Sequence, residues 1–315
     1  MSGIAYLLPG QGAQAVGMGK AFYDQFDEAK EIYKAANRYL GFDVSAMCFE
    51  GPADALTNTD TCQPALFVTS LAAFAAFTRI APASWKPVGA AGLSLGELTA
   101  LAVAQAFSFE DGCYLVKARG EAMAECAAQH KGAMLAVIGL QADAIEAICR
   151  ESSATGANYN ASDQVVLSGT VEAIEKAEGL AKARGAKRVV KLDVAGAFHS
   201  SLMQLAADRF KEALAKVEIR TPRFPVVSNV TANTVRDPQE IRHLLVQQIV
   251  SPVRWDASMR QLVQQGATHF IEFPPARVLT GLLRRIDPSV KGVTIDEPKD
   301  FEKLSEFLNV RTSPQ

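Results

Sequence analysis

Apolar positions along this chain recur in two rhythms. Ile4–Leu8 is an unbroken apolar run closed by Pro9-Gly10, which predicts a buried strand. A glycine-rich loop follows, then helical spacing over 20–40 and a mostly apolar helical stretch over 61–77. Residues 88–92 form a second short strand behind Pro87, and 95–107 is apolar nearly all round, as expected of a helix inside a domain. From 133 the rhythm changes. A strand over 133–139, a helix over 142–151, strands over 155–160 and 164–168, a helix over 171–184 and a strand over 187–194 follow in turn. That βαββαβ order predicts a ferredoxin-like unit inserted at about residues 130–197. Beyond it come a helix over 201–217, a strand over 225–229, a helix over 239–250 and a strand over 268–272. The alternation predicts an α/β fold, with 1–129 and 198–315 sharing a parallel sheet covered on both faces.

Composition narrows the picture. A net charge of −2 over 315 residues gives no reason to expect nucleic acid or an anionic membrane as partner. The longest apolar stretch, near 65–77, is short for a membrane span. The first residues lack the basic start of a signal peptide. Five cysteines, none in a C-x-x-C pair, argue against a disulfide framework or zinc site and predict a reducing cytoplasm.

The candidate chemistry begins at Gly92-Leu93-Ser94-Leu95-Gly96. A G-x-S-x-G segment after a strand and before a helix is the nucleophile-elbow pattern. The serine sits in a tight turn, so its flanking glycines avoid collision, and the helix start offers N–H groups to a developing oxyanion. A turn alone would also account for these residues. A serine nucleophile needs a base, and the chain has four histidines. His199 lies between a predicted strand and a helix that Ser201 and Gln204 would open as a capping box; the positive helix end would keep its ring neutral. His130, His243 and His269 read as surface or structural.

A helix over 108–127, opened by Ser108 and Asp111, carries Glu110, Lys117, Glu121 and Glu125 on its wet face. Arg119 falls on the opposite stripe with Leu115, Val116, Ala122 and Met123. A buried guanidinium needs an anion. Either an acidic side chain of the protein or the carboxylate of a substrate supplies it.

With these segments in place, the chain resembles the malonyl-coenzyme A:acyl carrier protein transacylases and the related acyltransferase domains of polyketide synthases. The resemblance rests on Pro9-Gly10-Gln11-Gly12, Gly92-Leu93-Ser94-Leu95-Gly96-Glu97, Arg119-Gly120, Asn158-Tyr159-Asn160, Gly196-Ala197-Phe198-His199-Ser200, Ser228-Asn229-Val230, and Gln248 with Pro252, Val253 and Trp255. It implies an α/β-hydrolase-like core carrying the ferredoxin-like insertion. Ser94 would be acylated and His199 its base. Backbone amides of Gln11 and Leu95 would form the oxyanion hole, and Arg119 would hold the malonyl carboxylate. No triad acid is implied; a main-chain carbonyl at Gln248 would orient the histidine. Phe198 would crowd an α-methyl branch, a selectivity of only about 1–3 kcal/mol. Leu93 departs from the family's usual histidine, and Phe273-Pro274-Pro275-Ala276 from a more usual glycine-proline-glycine turn.

The implied reaction is a ping-pong transfer from malonyl-coenzyme A to the phosphopantetheine thiol of acyl carrier protein by a monomer, with no metal or redox cofactor. Lys182, Arg184, Lys187 and Arg188 form the densest basic cluster. They could dock an acidic carrier, or simply complement a helix C-terminus. A carrier of a polyketide or malonate decarboxylase system, and a serine thioesterase or hydrolase, are the alternatives. Gly10-Gln11-Gly12-Ala13-Gln14-Ala15 also fits a dinucleotide-loop pattern, but Gly17 and Gly19 interrupt the helix that pattern requires.

Overall fold

A computed structural model describes residues 3–82, 85–275 and 277–308; Ala276 of the proline loop lies outside them. Two sheets form. Among the described residues ten strands run in chain order: β1 (Ile4–Leu8), β2 (Pro87–Gly92), β3 (Gly132–Ile138), β4 (Thr155–Ala161), β5 (Gln164–Thr170), β6 (Arg188–Lys191), β7 (Val226–Val227), β8 (Thr234–Val235), β9 (His269–Glu272) and β10 (Lys291–Thr294). The larger sheet has the order β10-β9-β1-β2-β7-β8, parallel except at β8. β1 is central and all five of its residues are buried, as its unbroken apolar run requires of a strand covered on both faces. The smaller sheet is antiparallel, in the order β4-β5-β3-β6. Helices Ala142–Ser152 and Val171–Ala183 pack on it through Ile145, Ile148, Ile174 and Ala177. Val253 N and O bond to Ala157 and Tyr159 of β4, tying the segment before helix Trp255–Gln264 to the smaller sheet.

The mixed α/β arrangement is the expected one, with corrections of local origin. The predicted helix over 20–40 is two, Lys20–Gln25 and Asp27–Leu40, because Phe26 takes extended backbone angles. The helix after the elbow stops at Val103. The strand expected over 187–194 keeps only Arg188–Lys191, and the one over 225–229 only Val226–Val227, since Ser228 and Asn229 turn into the site. Helices Val44–Glu50, Ala53–Thr57 and Trp255–Gln264 were not predicted. The helix expected over 61–77 runs from Thr59 to Ile80. At 22 residues it is long and apolar enough to cross a membrane, so shortness is not what argues against a span; 78% of its apolar window is buried in this fold. The first helix after the glycine-rich loop starts at Lys20, well past the point a dinucleotide loop would require.

Candidate active site

The elbow exists because two backbones nearly touch. A Cβ on Gly92 would lie 1.8 Å from Gly96 O, and one on Gly96 2.2 Å from Leu8 O. Between them Ser94 turns the chain with φ +54°, a conformation that bulky residues avoid and that concentrates at functional sites. Asn229 braces the turn. Its Oδ1 accepts from Ser94 N at 2.7 Å, and its Nδ2 donates to Gly92 O at 2.8 Å.

His199 also holds positive φ, +59°. Its Nδ1 lies 2.8 Å from Gln248 O. A carbonyl only accepts, so Nδ1 carries the proton and Nε2 of the neutral ring has a lone pair. Ser94 Oγ sits 2.8 Å from that Nε2 and donates to it. Burial, then the Arg119 charge, push the imidazole down to about 4. The ring is therefore neutral at pH 7, but not for the reason expected. The capping box of Ser201 and Gln204 does not form: Ser200 caps the turn that follows, and Gln204 donates to Asp208 instead.

Arg119 is 1% exposed. It is delivered by close packing of helix Phe109–Gln129 on helix Thr59–Ile80: a Cβ on Gly120 would stand 2.9 Å from Asp60 Cα. Nη1 donates to Gln63 Oε1 at 2.6 Å, and Nη2 to Gln248 Oε1 at 2.8 Å and Ser94 Oγ at 3.1 Å. Nε has no partner. Burial lowers the guanidinium to about 10, opposed by Glu97, so it stays charged at neutral pH. Gln63 continues through Thr59 to Gln11, whose Oε1 accepts from Thr59 Oγ1 at 2.8 Å.

These groups open into a cavity of about 800 Å³ between the two sheets. Gln11, Leu95 and Phe198 line it on the side of the larger sheet, Met134, Asn160 and Val166 on the other. Leu95 is the first residue of its helix, so its N–H has no intrahelical acceptor. The structure thus brings Ser94, His199, Arg119 and Gln248 into direct contact and sets Gln11, Leu95, Phe198 and Leu93 on the same cavity. His130 and His243 are exposed; His269 is buried in β9 beside Thr268. In the basic cluster Lys182 pairs with Glu178 and Arg184 with Glu151, while Lys187 and Arg188 are exposed. Among the described residues no group of three His, Cys, Asp or Glu side chains converges as a metal site.

Three residues of the network were not singled out from sequence: Glu97, Asn229 as a brace, and Gln63. Glu97 is 2% exposed, and burial raises its carboxyl to about 7 against opposing bonds from Gln248 and Asn229. Its signal was visible, because a lone acid in an otherwise apolar helix poses the same problem as Arg119.

Residues 5–294 match the acyl transferase domain family. The chain is similar to a malonyl CoA-acyl carrier protein transacylase of Bacillus subtilis, 40% identical over 313 residues and 98% of each chain. It is also similar to the crystal structure of an acyl-carrier-protein-S-malonyltransferase from Bartonella henselae, at 38% identity and TM-score 0.94, covering 98% of this chain and 100% of that one. A malonyl-transacylase solved in complex with a type II polyketide acyl-carrier protein superposes at TM-score 0.93 with 34% identity, covering 98% of this chain and 100% of that one.

Proposed function

The chain belongs to the acyl transferase domain family, and from that premise we propose that it transfers malonyl groups from coenzyme A to the phosphopantetheine thiol of acyl carrier protein, supplying fatty acid synthesis. One observation carries the choice of acyl group. A fully buried guanidinium with an unpartnered Nε touches the Oγ of a serine already bonded to a neutral histidine. A donor set of that kind, in a cavity, suits an acyl chain that ends in a carboxylate.

Ser94 attacks the thioester carbonyl as Nε2 of His199 takes its proton. The tetrahedral oxyanion receives N–H groups from Gln11 and Leu95. Collapse expels the coenzyme A thiolate, which takes the proton from His199 and leaves as the thiol, with an ester on Ser94. The carrier's thiol then gives its proton to Nε2, attacks that ester and departs malonylated, and the proton passes from Nε2 to the released Ser94 Oγ, restoring the serine and the neutral imidazole. Gln248 O holds the imidazolium formed in each half-reaction, in the place of a carboxylate. A bound malonyl carboxylate offsets the Arg119 charge that depresses His199, so the base strengthens when substrate is present. Phe198 narrows the pocket at the α-carbon. No step needs a cofactor.

The residues 130–197 are read as a ferredoxin-like subdomain set into an α/β-hydrolase-like core of 1–129 and 198–315. The strand order β4-β5-β3-β6 supports that reading. Five free thiols fit a reducing compartment, and we place the protein in the cytoplasm. Lys187 and Arg188 are the stronger part of a carrier-docking surface, since Lys182 and Arg184 already have acidic partners. The test is acyl transfer from malonyl-, methylmalonyl- and acetyl-coenzyme A to several carrier proteins, with release of free acid measured alongside. Malonyl transfer to a carrier thiol should dominate; malonate release at an equal rate would make the protein a hydrolase.

A further inference from the structure

Gln248 has two roles in the site, and a third residue decides whether its side chain can perform its own. The amide of Gln248 has one acceptor oxygen and two N–H groups. The oxygen faces Arg119 Nη2 at 2.8 Å, and the nitrogen donates to Ser94 O at 3.0 Å and to Glu97 Oε2 at 2.6 Å. Arg119 can only donate, and the two partners on the nitrogen side can only accept. Turning the amide over would set donor against donor and acceptor against acceptor, a cost that grows with burial. The same Oε2 accepts from Asn229 N at 3.0 Å, and Asn229 is the residue that braces the strained elbow. One oxygen therefore ties the support of Ser94 to the support of Arg119.

We propose that Glu97 is a positioning residue. Its carboxylate oxygen fixes the Gln248 amide and thereby the guanidinium that receives the acyl group's carboxylate. Glu97 lies behind the cavity wall and is 2% exposed, so it acts through Gln248 and not on substrate; what it accepts from Asn229 is the backbone N–H, whereas the brace on Ser94 is made by the Asn229 side chain. The bonds from Gln248 and Asn229 fall on Oε2, and Ser228 also bonds the carboxyl; a hydroxyl accepts from a protonated oxygen, or from a glutamine's amide nitrogen, as readily as it donates to a carboxylate. The arrangement thus depends on an acceptor at the Oε2 position and not on charge. This inference rests on the malonyl-transfer reading.

The experiment compares E97Q, E97D and E97L with the wild-type enzyme, using malonyl- and acetyl-coenzyme A and a carrier protein, with circular dichroism as the folding control. Acetyl transfer needs Ser94 and His199 but offers Arg119 no carboxylate. E97Q should stay within about 3-fold of wild type, since its amide oxygen replaces Oε2. E97L should lower malonyl kcat/KM by about 30-fold and acetyl kcat/KM by less than about 5-fold. E97D, too short to reach, should follow E97L and stands in for it if E97L does not fold. In a Q248A background either change should add less than about 2-fold. Equal losses for the two acyl groups, an E97Q as impaired as E97L, an E97D like wild type, or full additivity with Q248A would each overturn the assignment. Absence of malonyl transfer by the wild-type enzyme would instead overturn the reading on which it rests.

Discussion

The two sheets use charge in opposite ways. In the antiparallel unit the core is built from residues such as Leu135, Ile148, Leu167 and Ile174, and the polar side chains buried with it, Ser152, Asn158, Asn160 and Ser168, carry no charge. Its charges stay on the surface in short-range pairs, Lys182 with Glu178, Lys191 with Glu175 and Glu178, Arg184 with Glu151. Around the C-terminal ends of β1, β2 and β7 the reverse holds. Glu97, Arg119, Gln248, Asn229 and Gln63 are all buried, and what links them is hydrogen bonds to amides and hydroxyls. The first arrangement is what stability asks of a small sheet. The second leaves a guanidinium whose hydrogen bonds, among the described residues, go to neutral amide and hydroxyl oxygens, an arrangement that is costly by itself and useful to an anionic acyl group.

If that contrast is right, substitutions should separate by sheet. The largest effect is expected for Ser94→Ala, with loss of malonyl transfer by about 10³-fold or more while the melting temperature is kept, checked by radiolabelled transfer and calorimetry. His199→Ala should slow acylation and carrier transfer alike by about 10²–10⁴-fold, measured as single turnovers, since one base serves both. Arg119→Ala should lower malonyl use by about 100-fold and acetyl use far less; equal loss would return the guanidinium to a structural role.

Acidity gives the next effect. His199 sits at about 4 and not at its ordinary value, so kcat/KM should hold down to pH 5. A histidine of unperturbed value would there be only about 3% neutral, a drop of roughly 30-fold. An acid limb centred near 6.5 would refute the depressed value. Stability follows with opposite signs from the two buried groups. The lowered histidine contributes stability above its unfolded value of 6.5, lost as pH falls through about 4. The raised Glu97 contributes below 4.5, lost as pH rises through about 7. E97Q, which removes only the second, should therefore lose stability between pH 6.5 and 4 faster than wild type in denaturant titrations.

On the other sheet, Ile148→Val should cost about 1 kcal/mol in chemical denaturation with kcat unchanged. Lys182→Ala, which breaks an exposed pair, should change stability by less than about 0.5 kcal/mol.

Much of this was legible beforehand because the decisive constraints are local. Ile4–Leu8 reads as a buried strand from five consecutive apolar residues, and the elbow from two glycines around a serine. Arg119 is marked by helical phase alone, although phase cannot say which anion it meets. The βαββαβ order was readable because each element of that unit carries its own period. What escaped depends on contacts distant in sequence. Asn229 reaches Ser94 across 135 positions and Gln248 reaches Glu97 across 151. No window of the chain holds both partners. Helix Trp255–Gln264 was lost for a different reason: its polar face interrupts the apolar rhythm, and only Trp255, Ser258, Met259 and Leu262 turn inward.

Whether Arg119 selects a carboxylate-bearing acyl group for Ser94 is decided by quenched-flow mass spectrometry of the Ser94 peptide after malonyl- or acetyl-coenzyme A is mixed with wild-type enzyme and R119A. A malonyl ester on Ser94 should form far faster than the acetyl ester in the wild type, with most of that preference lost in R119A. A malonyl group on any other residue, or an unchanged preference without Arg119, would contradict that expectation.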